Sequence, residues 1–112
     1  MKKQAVIIFV KYPEPGKVKT RLASKTNEAF ALKFYNAIAQ IIFEEIEQLG
    51  NDVDKYIYFS PLPDIELLKK WVKQDFFYVE QRGTNLGQKI SNALKELFDK
   101  GYGKVIIMGS DV

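Results

Sequence analysis

Ala5 to Val10 forms an unbroken apolar run, Ala-Val-Ile-Ile-Phe-Val, whose β-branched residues suit a strand covered on both faces. A polar, proline-bearing stretch follows, and then the period changes. Phe30, Ala31, Phe34, Ala37, Ile38, Ile41, Ile42, Ile46 and Leu49 recur at helical spacing, predicting a helix from about Asn27 to Leu49 with Gly50 at its C-terminal cap. Lys55 to Ser60 reads as a second strand, broken by Pro61 and Pro63. A short helix from about Asp64 to Lys73 comes next, with Ile65, Leu68, Trp71 and Val72 facing inward. Phe76 to Glu80 is a third strand. A helix from about Leu86 to Lys100 then carries Leu86, Ile90, Ala93, Leu94, Leu97 and Phe98 on one stripe, and Gly101 and Gly103 end it. Lys104 to Met108 is a fourth, buried-type strand. Tyr56, Tyr58, Phe59, Phe76, Phe77 and Tyr78 fit core packing in the sheet rather than base stacking.

Strict alternation of strand and helix predicts an α/β fold, a Rossmann-like three-layer α/β/α arrangement with a mostly parallel sheet and right-handed crossovers. The chain shows no internal repeat, linker or low-complexity segment, so residues 1–112 are expected to form a single domain. The fourth strand nearly ends the sequence, where a doubly wound domain normally continues. The expectation is that the chain is the N-terminal portion of a longer domain. The alternative is a homodimer in which a second copy covers the bare edge of strand four.

Composition narrows the chemistry. There is no cysteine and no histidine, which excludes disulfides, thiolate metal sites and a histidine base. Any metal must therefore be held by oxygen ligands, pointing to Mg²⁺ or Mn²⁺. The net charge of +3 comes with two arginines and no recognisable nucleic-acid motif, so nucleic acid is not the expected partner. Met1-Lys-Lys before the first apolar run mimics a signal peptide, but Lys11 and Pro13 stop that run too early for a signal core or a membrane span. A soluble, cytoplasmic protein without membrane contact is expected.

The segment between the first strand and the first helix, Lys11-Tyr-Pro-Glu-Pro-Gly-Lys-Val-Lys-Thr-Arg21, is stiffened by Pro13 and Pro15 and opened by Gly16. Lys11, Lys17, Lys19, Arg21 and Lys25 face a single acid, Glu14. A stiff, basic, glycine-bearing loop after a strand suits a phosphate, and the diphosphate of a nucleotide is the expected ligand. The plainer reading is an exposed polar turn, and the spacing of a P-loop is absent. Ligands of open α/β sheets collect at the carboxyl ends of the strands. Two other features fall there. Gln81-Arg-Gly-Thr-Asn-Leu-Gly87 offers Gln81 and Asn85 for base or ribose contacts, but this is the lesser reading, because a capping box explains Asn85 and Gln88 completely. Asp111 ends the fourth strand as either a turn residue or a carboxylate for a divalent ion that bridges phosphates.

Phe9-Val-Lys-Tyr-Pro-Glu-Pro-Gly-Lys-Val-Lys-Thr-Arg-Leu22, Gln81-x-Gly-x-x-Leu-Gly87 and Val105-Ile-Ile-Met-Gly-Ser-Asp111 together resemble a microbial family of the nucleotide-diphospho-sugar transferase superfamily. That superfamily has a GT-A-type fold, and some members of the family are labelled arsenosugar-biosynthesis glycosyltransferases. Lys19-Thr-Arg-Leu22 is also similar to a segment of 2-phospho-L-lactate guanylyltransferases. The resemblance spans the whole chain but only the first half or so of a family domain. It implies a GT-A-type nucleotide-binding half, with Gly16 to Arg21 near the phosphates and Asp111 at the acidic metal position. Family members continue past Gly-Ser-Asp with a proline and an acceptor-binding half, and they tend to carry an acid where this chain has Asn85.

The function expected on these grounds is nucleotide-sugar-dependent glycosyl transfer with a divalent metal. Nucleotidyl transfer is the alternative within the same chemistry. The rival from another class is a non-catalytic nucleotide-binding or dimerisation module. No catalytic residue stands out, and a nucleotide-sugar or nucleotide is the expected substrate.

Overall fold

The computed structural model describes residues 3–13, 24–62 and 64–109. Among the described residues the strands β1 (Gln4–Val10), β2 (Val53–Phe59), β3 (Phe77–Glu80) and β4 (Lys104–Gly109) alternate with the helices α1 (Glu28–Glu47), α2 (Ile65–Val72) and α3 (Leu86–Asp99). The sheet runs β3-β2-β1-β4 with every neighbouring pair parallel. β1 is central, as its apolar run requires, and Ala5, Val6, Ile7, Ile8 and Val10 are all buried.

Pairing alternates the faces of the sheet. Val6, Ile8 and Val10 join Ile57, Ala39, Phe43, Leu68 and Val72 in one core under α1 and α2. Ala5 and Ile7 join Tyr56, Tyr58, Ala93 and Leu97 in a second core under α3. The expected three layers are therefore present. The steps from β1 to β2 and from β2 to β3 move the same way with their helices on one face. The step from β3 back past β1 to β4 reverses direction and uses the other face. Reversing both together keeps a single handedness, as chain chirality demands.

Several expectations are corrected. The buried side of α1 is Ala31, Tyr35, Ala39, Phe43 and Ile46, whereas Phe30, Phe34, Ile41 and Leu49 are exposed. The helix is apolar over most of its circumference. The side with alanines at 31 and 39 comes closest to the sheet, and it places Tyr35 and Phe43 in the core. Gly50 is not the cap either. Gln48 caps α1 in a right-handed conformation, with its N–H on the Ile46 carbonyl.

In α2, Leu68 and Val72 are buried, but Ile65 in the first turn is exposed. Phe77 is 55% exposed on the edge strand, while Phe76 just before it is buried. In α3 only Ala93 and Leu97 are buried, and Leu86 and Phe98 are exposed. β4 departs most from expectation. Among the described residues it pairs with β1 alone, and its residues range from half-buried to exposed, with Ile106 45% exposed.

Candidate functional site

Between β1 and β4 the order of strands reverses, which opens a crevice at their carboxyl ends, the usual ligand position in this class of sheet. A cavity of about 420 Å³ lies there, within the range of small-molecule sites. Phe9, Val10, Ile107 and Met108 from the strand ends, with Leu86 and Ile90 from α3, supply its apolar lining. Lys11, Ser60, Gln81 and Lys89 supply the polar groups, and Gly109 completes it. Among the described lining residues there are two cations and no carboxylate. A cavity with that lining favours an anionic ligand that also presents apolar surface.

Two side chains hold the strand ends in place. Tyr35 is fully buried in α1, and its hydroxyl donates to the Lys11 carbonyl at 2.6 Å while accepting from the Lys11 N–H at 3.1 Å. Its ring stacks on Trp71, whose indole N–H donates to Asn36 Oδ1. The backbone at the start of the basic loop is thus clamped from beneath. Gln81 performs the same task between strands. Its Nε2 donates to the Tyr58 carbonyl at 2.8 Å and to the Val10 carbonyl at 3.3 Å, and its backbone N–H donates to the Phe59 carbonyl. Its Oε1 accepts from Ser60 Oγ at 3.5 Å.

The loop into α3 is set by Gly83 and by capping. Gly83 has φ +135°, and a Cβ there would lie 2.8 Å from Gln88 Cβ and 2.9 Å from Lys89 N. Only glycine fits without displacing the first turn of α3. Asn85 Oδ1 accepts from the Gln88 N–H, as a cap does. The reciprocal arm of the capping box is shifted by one residue. Gln88 Oε1 accepts from the N–H and hydroxyl of Thr84, not from the Asn85 N–H. Asn92 Nδ2 then donates to the Arg82 carbonyl. Together these contacts fix the turn that carries Lys89 to the cavity.

Of the residues singled out in the sequence, Lys11 and Gln81 meet at this cavity. Asn85 is exposed beside it with its oxygen committed to the helix cap. Gly16, Lys17, Lys19, Arg21 and Asp111 lie outside the described residues. Tyr35, Ser60 and Lys89 went unnoticed. Lys89 had a signal, since it follows the Gln81–Gly87 motif by half a turn, whereas Tyr35 has none near it in the sequence. Among the described residues no group of three acidic side chains could hold a metal ion.

Around the sheet, Tyr58 donates to Glu96 at 3.2 Å, and burial, reinforced by the Glu96 charge, raises its hydroxyl pKa. Tyr102 donates to Asp54 at 2.5 Å, and burial and that bond raise its pKa too. Neither lines the cavity, although Tyr58 stacks on Phe9, which does. Among the described residues no helix is long and apolar enough to cross a membrane.

Sheet order, crossover faces and the crevice at the reversal define a Rossmann-like α/β fold with a cavity at its switch point. The chain belongs to the family described as "Uncharacterized protein conserved in bacteria (DUF2064)", whose model matches residues 45–112. It is also similar to a solved protein from Desulfovibrio desulfuricans G20, provisionally described as a nucleotide-diphospho-sugar transferase. The two are 34% identical with a TM-score of 0.89, and the match covers 100% of this chain and 48% of that one. This supports the superfamily assignment drawn from the motifs. The chain spans about half the length of that relative. No curated protein matches.

Proposed function

We propose that this chain is the nucleotide-binding half of a transferase acting on a nucleotide-activated donor, with a nucleotide-sugar as the donor and glycosyl transfer as the reaction. The observation that carries the reading is the switch-point cavity, with Lys11 and Lys89 beside an apolar lining and no carboxylate among its described residues. The likeness to the Desulfovibrio desulfuricans protein supports it. Transfer of a sugar from its diphosphate builds negative charge on the departing phosphate. Cations fixed in advance stabilise that charge with little reorganisation. Lys11 and Lys89 stand at the cavity for this, and Gly16, Lys17, Lys19 and Arg21 are the loop residues proposed to seat the phosphates. A divalent ion, proposed at Asp111, would neutralise part of the same charge when bound. GT-A-type architecture and residence in the cytoplasm belong to this proposal as well.

The similarity of Lys19-Thr-Arg-Leu22 to guanylyltransferases favours nucleotidyl transfer as the second reading. Calorimetric titration with nucleoside diphosphates, with and without Mg²⁺, tests the shared part. Binding is expected, strengthened by Mg²⁺ and losing that enhancement in Asp111→Ala. Replacing Lys19 or Arg21 by alanine is expected to cost roughly ten- to a hundredfold in affinity, the usual weight of a charged hydrogen bond. Unchanged affinity in both variants sinks the phosphate role of the loop.

A further inference from the structure

α1 and α2 each connect parallel strands and cover the same face of the sheet, so they run side by side in one direction. A groove of about 470 Å³ lies between them. Tyr12, Leu67 and Trp71 give it apolar surface, while Asn36 and Gln40 flank it from α1, and Lys70 and Lys73 from the end of α2. None of these residues lines the switch-point cavity. The groove is firmly built. Trp71 Nε1 donates to Asn36 Oδ1 at 2.7 Å, and Gln40 Nε2 donates to the Trp71 carbonyl at 2.9 Å. The Trp71 ring stacks on Tyr35 and meets Tyr12 and Phe43 edge to face.

Its charge is one-sided. Lys69 is taken up by Glu66 at 3.8 Å and lies over the Tyr78 ring. Lys70 and Lys73 are exposed and pair with no carboxylate among the described residues, and no carboxylate is among the described residues lining the groove. Lys73 also ends α2 in the left-handed region, at φ +68°, the one non-glycine residue with positive φ among those described. Glycine takes that conformation without strain. Lysine accepts the strain and keeps a cation at the end of the groove.

We propose that the groove between α1 and α2 docks an extended acidic segment of a partner protein, with an apolar residue set between acids. From Leu67 to Lys73 the helix axis rises about 9 Å, the length of about three extended residues. Side chains of an extended segment alternate in direction. The apolar one rests on Trp71, Tyr12 and Leu67, which is 43% exposed, and the flanking carboxylates rise to Lys70 and Lys73. Cations without acids of their own select an anionic partner. A furrow open between two helices suits a chain passing through it better than a small molecule, which binds where it can be enclosed.

Trp71 is the single tryptophan of the chain, so its emission reports on the groove. The probe is the peptide acetyl-Asp-Glu-Leu-Asp-Glu-amide, titrated at low salt. A saturable change in Trp71 emission is expected. Serine in place of the peptide's leucine, or amides in place of its acids, should weaken binding about tenfold or more, as should Lys70→Glu. Lys73→Gly relieves the left-handed strain, so it should weaken binding without lowering the melting temperature, which separates lost binding from lost fold. Lys95→Glu, at an exposed position on α3, should bind as the parent does. No saturable change up to about 1 mM peptide overturns the proposal, and so does binding indifferent to both Lys70→Glu and Lys73→Gly. Equal binding of the serine peptide overturns it by reducing the contact to charge alone. Equal binding of phenylacetate overturns it by giving the groove to small anions.

Discussion

β1 and β4 lie side by side in register, and both are runs of aliphatic residues, yet β1 is sealed on both faces and β4 is half open. The difference comes from their neighbours. β1 has a strand on each side, α1 over one face and α3 over the other. Among the described residues β4 has one neighbouring strand, and Ile106 on it is 45% exposed. Polar bracing follows the same division. Tyr35 and Gln81 hold the end of β1, while among the described residues no side chain hydrogen-bonds to β4. Apolarity marks a residue for burial; position in the sheet decides whether burial is achieved.

The largest expected effect compares the two strands directly. Ile8→Ala should cost about 2–5 kcal/mol by urea unfolding, because the side chain is fully buried and leaves a cavity. Ile106→Ala should cost about 1 kcal/mol or less, since much of its surface is already in water. Equal losses would mean that β4 is covered in solution. Tyr35→Phe comes next, at about 1–3 kcal/mol, because the Lys11 N–H and carbonyl lose their buried partner. It should also weaken nucleoside diphosphate binding, although Tyr35 is not among the residues lining the cavity.

The smallest effect is set by pH. The hydroxyls of Tyr58 and Tyr102 titrate above their ordinary value of 10.0 in the folded chain, so folding favours their protonated forms. Their contribution is complete below pH 10 and is lost as pH rises through the higher folded values. Stability should therefore fall on alkaline titration, and less steeply in Tyr58→Phe than in the parent chain. An identical slope would place the alkaline loss elsewhere.

The alternating periods of the sequence were enough to read element order and parallel pairing, because strand and helix patterns depend on local spacing. Which side of a helix faces the sheet was not legible for α1. Phe30, Phe34 and Ile41 compete with Tyr35, Ala39 and Phe43, and the choice depends on how closely the helix can approach a sheet it meets only after folding. The same limit hid Tyr35, since nothing near it in sequence shows that its hydroxyl reaches Lys11. Gln81 was picked out as a polar group near a ligand, but the carbonyls of Val10 and Tyr58 that occupy its amide come from other strands.

The return of the chain across the sheet also sets the order in which the fold can be assembled. β2 pairs with β1 across only the α1 segment, whereas β4 pairs Lys104 with Gln4, roughly a hundred residues apart. Because closing a longer loop costs more entropy, β1-α1-β2 has the lower barrier, and it also leaves the ribosome first. The central strand therefore stays an edge, its apolar side exposed, until β4 arrives. Refolding should accordingly show β2 pairing before β4, and the interval between them is when the nascent chain is most exposed to aggregation.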